Sequence, residues 1–80
     1  MTPYFFATYQ TKVTRKQAAE INKRIAAIDE SASFVRHYAP GNDTHGWLER
    51  PNDGTNDANW RRARLAEMRA IADQVLGVVR

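Results

Sequence analysis

The sequence predicts an α+β domain: a small antiparallel sheet of about three strands, ordered β-α-β-β-α, with two helices packed on one face. Three observations predict it. The chain opens on an aromatic and β-branched run. Two stretches place apolar residues at helical spacing, one after that run and one at the far end. Between them, two short strand-like runs flank a Pro-Gly turn.

Residues 4–13, Tyr-Phe-Phe-Ala-Thr-Tyr-Gln-Thr-Lys-Val, are rich in the types that suit a pleated surface and read as the first strand. Simple alternation puts Phe5, Ala7, Tyr9 and Val13 on one face and Tyr4, Phe6, Thr8, Gln10 and Lys12 on the other. Thr14 then starts a helix, and Thr14-x-x-Gln17 fits a capping box. Ala18, Ile21, Ile25 and Ile28 form its core stripe, Glu20 and Arg24 are spaced to pair outside it, and the pattern stops near Ser31.

Residues 33–39 read as the second strand and residues 45–50 as the third, joined through the Ala39-Pro40-Gly41-Asn42 turn. Residues 51–55 are loop. Thr55 or Asn56 is the expected cap of the last helix, with Asp57 complementing its dipole. That helix is expected to run to about Val79, burying Leu65, Met68, Ala72, Val75 and Val79, with Ile71 and Leu76 widening the stripe.

The 80 residues fit a single domain, 1–80, with one two-layer core and little room for a deep cavity. Without cysteine there is no disulfide framework, thiolate metal site or cysteine nucleophile, and a reducing cytoplasm is the expected compartment. Met1-Thr2-Pro3-Tyr4-Phe5-Phe6 has neither a basic stretch nor a long apolar run, so it is not expected to be a signal peptide, and no window approaches the ~20 apolar residues of a membrane span. Twelve Lys and Arg against nine Asp and Glu give a net charge of +3, which speaks against an acidic mimic of DNA.

Catalytic and metal chemistry find little support. His37 and His45 stand near Asp43 and Glu49, but two histidines without a third ligand read as polar residues on an exposed hairpin. Asn52–Asp57 lacks the order and the bidentate glutamate of a calcium loop. Gly41, Gly46 and Gly54 form no phosphate-binding pattern, and neither Ser31 nor Ser33 has a sequence-local base. No catalytic residue, metal or cofactor is therefore expected, and no metal should be needed for folding.

Two features suit binding. Arg61, Arg62 and Arg69 are expected on or beside the solvent side of the last helix, with Arg64 at the core edge. Guanidinium groups suit carboxylates and phosphates, although a solvated helix face would look the same. The second feature is the sheet face that the helices leave open. Tyr4, Phe6, Arg36, Tyr38 and Trp47 are its candidates, able to stack bases or anchor a protein interface.

Two classes of function remain open: a protein-directed inhibitor or adaptor, and a small basic nucleic-acid-binding module. The element order is similar to half of a ferredoxin-like fold, which RNA-recognition domains use, but their glycine–aromatic strand signature and a fourth strand are absent. The basic signature of double-stranded RNA-binding domains is absent too.

As a whole, the strand-helix opening Tyr4–Ile28, the Pro40-Gly41 hairpin and the Trp60-Arg61-Arg62 helix resemble the small anti-CRISPR proteins of bacteriophages, in particular those directed at type I systems, subtype I-C among them. That resemblance implies a non-catalytic inhibitor that binds the type I surveillance complex (Cascade) in the host bacterial cytoplasm and blocks target DNA engagement. It implies protein subunits as partners, with guide RNA as a secondary contact, and a monomer or weak homodimer. Arg61, Arg62, Arg69, Arg36, Tyr38 and Trp47 are the expected partner-binding residues.

Overall fold

The computed structural model describes residues 2–37 and 45–79. Its elements are β1 (Tyr4–Tyr9), α1 (Arg15–Ala26), β2 (Ser33–His37), β3 (His45–Arg50) and α2 (Asn59–Leu76). The sheet order is β1-β3-β2 with both pairings antiparallel, so β1 and β2 run parallel with β3 between them. This is the expected α+β architecture. The Pro40-Gly41 turn and Tyr38 lie outside the described residues.

β1 breaks simple alternation. Phe5 pairs with Glu49 and Ala7 with Leu48, so Phe6 is the extra residue of a β-bulge. Tyr4, Phe6, Ala7 and Tyr9 consequently pack towards the helices, while Phe5 is left 51% exposed. Phe6 lies stacked on Tyr4, ring centres 6.4 Å apart. The expected faces of Phe5, Tyr4 and Phe6 are therefore corrected by one inserted residue. The strand also ends at Tyr9, four residues short of Val13.

The Thr14–Gln17 capping box forms in full: the Gln17 N–H donates to Thr14 Oγ1 at 3.1 Å and the Thr14 N–H to Gln17 Oε1 at 3.0 Å. Ala18, Ile21 and Ile25 are buried, as their spacing predicts, and Ile28 is half-buried in the turn that follows. Arg24 reaches across to Gln74 Oε1 at 3.0 Å, the partner it takes in place of the expected Glu20. Asn22 lays its carboxamide along the outer edge of β2. It donates to the Phe34 carbonyl and accepts from the Phe34 N–H, both at 2.9 Å, and so pairs edge groups that another strand could use.

α2 begins later than expected, at Asn59, with Ala58 at its N-cap and no capping side chain. Thr55 and Asn56 are otherwise engaged. Thr55 binds Asp53 through its hydroxyl at 2.7 Å, and Asn56 is buried against Arg50. Gly77 ends the helix in the left-handed conformation, φ 71°, which favours glycine. The stop leaves Val79 95% exposed rather than buried. Leu65, Met68 and Ala72 complete the core with Phe34 and Leu48, and the Tyr9 hydroxyl ties β1 to α2 through Asp73 Oδ1 at 2.7 Å.

Candidate partner-binding face

The register assigns each sheet residue to a face. Leu48 sits between Ala7 and Phe34, Gly46 between Tyr9 and Arg36, and these residues meet the helices. Trp47 sits between Thr8 and Val35, Glu49 between Phe5 and Ser33, and His45 beside His37. Among the described residues, these eight form the face that neither helix covers.

An aromatic cluster occupies that face. Phe5 meets Trp47 edge-on with ring centres 6.1 Å apart. The His37 and His45 rings are 4.9 Å apart, and each is 6.1 Å from Trp47. Trp47 donates its indole N–H to Glu49 Oε1 at 2.8 Å, which satisfies the one polar atom of the ring and fixes its orientation. Val35 extends the apolar surface. Among the described residues of this face there is one carboxylate and no Lys or Arg.

Of the five expected partner-binding residues that the structure describes, Trp47 alone stands on this face. Tyr38 lies outside the described residues. Arg36 turns to the helix side, paired with Gly46, and donates Nε to the Val13 carbonyl at 2.8 Å. Arg62 and Arg69 are exposed on α2, seven residues apart and hence on one flank of the helix. Arg62 reaches the Asp57 carbonyl at 3.2 Å. Arg64 is exposed too, 3.5 Å from Glu67, and not at the core edge.

Arg61 is the clearest correction. Its spacing places it on the side of α2 that carries Leu65, Met68 and Ala72, and its side chain is only 12% exposed. It pairs with Asp29, while its guanidinium lies 4.2 Å from the centre of the Trp60 ring. Asp29 also takes Arg50, at 3.3 Å. Arg50 is itself buried, and its guanidinium reaches Asp53 at 3.2 Å, the Pro51 carbonyl at 3.1 Å and Asn56. This network binds the end of β3, the turn after α1, the 51–57 loop and the start of α2 into one unit.

Electrostatics of the two aspartates follow from it. Burial opposes ionisation of Asp29, but the Ser31 hydroxyl and backbone N–H, with Arg61 and Arg50, outweigh it and hold the carboxyl below its ordinary value. The Thr55 hydroxyl, then Arg50 and the Thr55 N–H, hold Asp53 well below the usual carboxylate range.

Sequence reasoning missed Phe5, Val35, His37 and His45 as members of the face. His37 and His45 were visible as hairpin neighbours, but Phe5 required the bulge, which no local signal announces. Among the described residues, no three His, Asp or Glu side chains converge on a point that could hold a metal ion, and no helix is long and apolar enough to cross a membrane. Comparison with protein-family models, with curated proteins and with solved structures finds no match to this chain.

Proposed function

We propose that this chain is a non-catalytic binding protein that docks a protein partner on its open sheet face. Following the whole-chain resemblance, we take that partner to be a type I surveillance complex whose engagement of target DNA is blocked. The observation that carries the binding reading is the Phe5–Trp47–Val35 surface, fixed by register and left uncovered by the helices. Contiguous apolar patches of this kind mark interaction sites, and aromatic anchors contribute most of the energy at protein interfaces.

The charge distribution favours protein over nucleic acid at this face. Single-stranded nucleic acid is held by aromatic stacking together with a cationic track for the phosphates. The aromatic residues here have no cation among their described face neighbours. Arg62 and Arg69 belong to the helix layer on the other side of the sheet, where they would steer an encounter with acidic surface and not grip a base-stacked strand.

The test is a gel shift of target DNA by purified surveillance complex with this protein added first. Inhibition that Phe5→Ser and Trp47→Ser each weaken at least tenfold per folded molecule, with the folded fraction of each variant measured by thermal melting, is the expected result. A tenfold loss corresponds to about 1.4 kcal/mol, modest for a buried aromatic anchor. Unchanged DNA binding at excess protein would remove the surveillance complex as the partner. A direct shift of bare DNA or RNA at moderate salt would favour the nucleic-acid module.

A further inference from the structure

We propose that His37 and His45 form a two-histidine site for a late first-row divalent cation, of the copper, nickel or zinc class, on the open face of the sheet. The two residues are direct register partners at the ends of β2 and β3. Their side chains therefore leave the sheet side by side on one face, and the backbone holds them there whether or not an ion is present. Both rings reach solvent: His37 is exposed and His45 half-buried. Neither ring makes a hydrogen bond to another described residue.

The separation fits shared ligation. With a metal–nitrogen bond of about 2.05 Å and about 1.15 Å from nitrogen to ring centre, two imidazoles at a ligand angle of about 100° have centres about 4.9 Å apart. The observed distance is 4.9 Å. A square-planar angle of about 90° would give roughly 4.5 Å and a tetrahedral angle roughly 5.2 Å. The separation of the ring centres thus falls between the values for the two geometries.

Imidazole nitrogen selects this class of ion over magnesium or calcium, which require oxygen ligands. Nothing described on the face repels a cation, and Glu49 adds one negative charge. Two ligands from the protein leave two or more coordination positions for water or for a donor from a docked molecule. Copper(II), the strongest binder in the divalent series, is the best probe.

Chelator-stripped protein without an affinity tag is titrated with copper(II) and with zinc(II), following heat of binding and the emission of Trp47 in a Trp60→Phe background. One saturable site is expected, with Trp47 quenched by copper because its ring centre lies 6.1 Å from both imidazoles. His37→Ala and His45→Ala should each weaken binding at least tenfold, since loss of even an outer hydrogen-bond partner of a ligand weakens metal binding about 10–100-fold. Independently of any variant, substoichiometric copper(II) added to isotope-labelled parent protein should broaden the ring signals of His37 and His45 before all others. Broadening that begins at the N-terminal amine or at carboxylates, or affinity within twofold of the parent in either variant, means an adventitious ion only and overturns the site.

Discussion

Substituting Gly46 by alanine is the sharpest test of how the sheet and core fit together. Gly46 lies in the central strand between Tyr9 and Arg36, on the helix side, and the Phe34 ring covers it. A Cβ built there would stand 2.6 Å from Phe34 Cε1 and Cζ and 2.8 Å from the Val35 carbonyl oxygen. Ordinary carbon contacts are about 3.5–4.0 Å, so the ring must retreat by roughly an ångström. Phe34 is 3% exposed, and its ring centre is 6.0 Å from that of buried Tyr9, so it has little space to retreat into. The Val35 contact is backbone within the β2–β3 ladder and yields only if the strands part. Overpacking of this kind costs about 1–3 kcal/mol. Gly46 has no positive φ, so alanine also narrows the unfolded ensemble and offsets about 0.4–1 kcal/mol of that loss. The net expectation is a destabilisation of about 1–2 kcal/mol, a fall in Tm of roughly 5–15 °C for a domain this small. Thermal and urea unfolding of Gly46→Ala, Phe34→Leu and the double variant measure it. The double variant should lose less than the sum of the singles, because the smaller side chain relieves the contact. A Gly46→Ala protein as stable as the parent, or strictly additive losses, would refute the packing argument.

The other predictions concern the polar frame. Thr14→Ala removes one half of the capping box and should lower stability by about 1 kcal/mol in urea unfolding, with partner affinity per folded molecule unchanged. Asp29→Asn leaves the buried Arg50 and the half-buried Arg61 without their shared carboxylate and should cost about 3 kcal/mol, while Asp53→Asn, at a more exposed carboxylate, should cost less. Both aspartates titrate below their unfolded values in the fold, so the stability they contribute is complete above about pH 5 and fades as pH falls through 4. Urea midpoints at pH 6 and pH 3 should therefore converge for the Asp29→Asn, Asp53→Asn double variant more than for the parent. Reversing charge at Arg62 and Arg69 should slow association with the partner and flatten its salt dependence without moving Tm, whereas Arg61→Glu should lower Tm.

Much of this fold is legible in the sequence because its signals are local. The Thr14–Gln17 box and the Ala18, Ile21, Ile25 and Leu65, Met68, Ala72 stripes are set by spacing within a few residues, and they appear where spacing puts them. β3 matches its expected bounds. What the sequence conceals depends on partners far along the chain. Thr55 and Asn56 are sound caps by composition, but Asp53 and Arg50 compete for them and win. Phe5 and Phe6 are adjacent and chemically identical, and only the register against β3 decides which is buried. Arg61 and Arg62 differ in the same way: one step around α2 turns a solvent-side cation into a member of a buried network. An open sheet face with aromatic residues is legible in the strand pattern, and of its expected residues that the structure describes, Trp47 lies on it while Tyr4, Phe6 and Arg36 turn to the helix side.

The distribution of side chains across the two sheet faces is itself informative. A sequence selected for stability alone would bury its aromatic residues and expose its arginines. Here Arg50 is inside and Arg61 half-buried, both held by Asp29, while Phe5 and Trp47 face outward. Buried ion pairs of this kind are commonly no better than apolar residues of the same volume, so the arrangement gains the chain little in folding energy. It does fix the sheet. The Arg50 network holds one end of β3, and Asn22 pairs the backbone N–H and carbonyl of Phe34 on the edge of β2. The consequence is a separation of roles. Polar substitution of Phe5 or Trp47 should weaken the proposed docking at least tenfold per folded molecule, whereas substitution of Asp29 should reduce it only in proportion to the fraction folded.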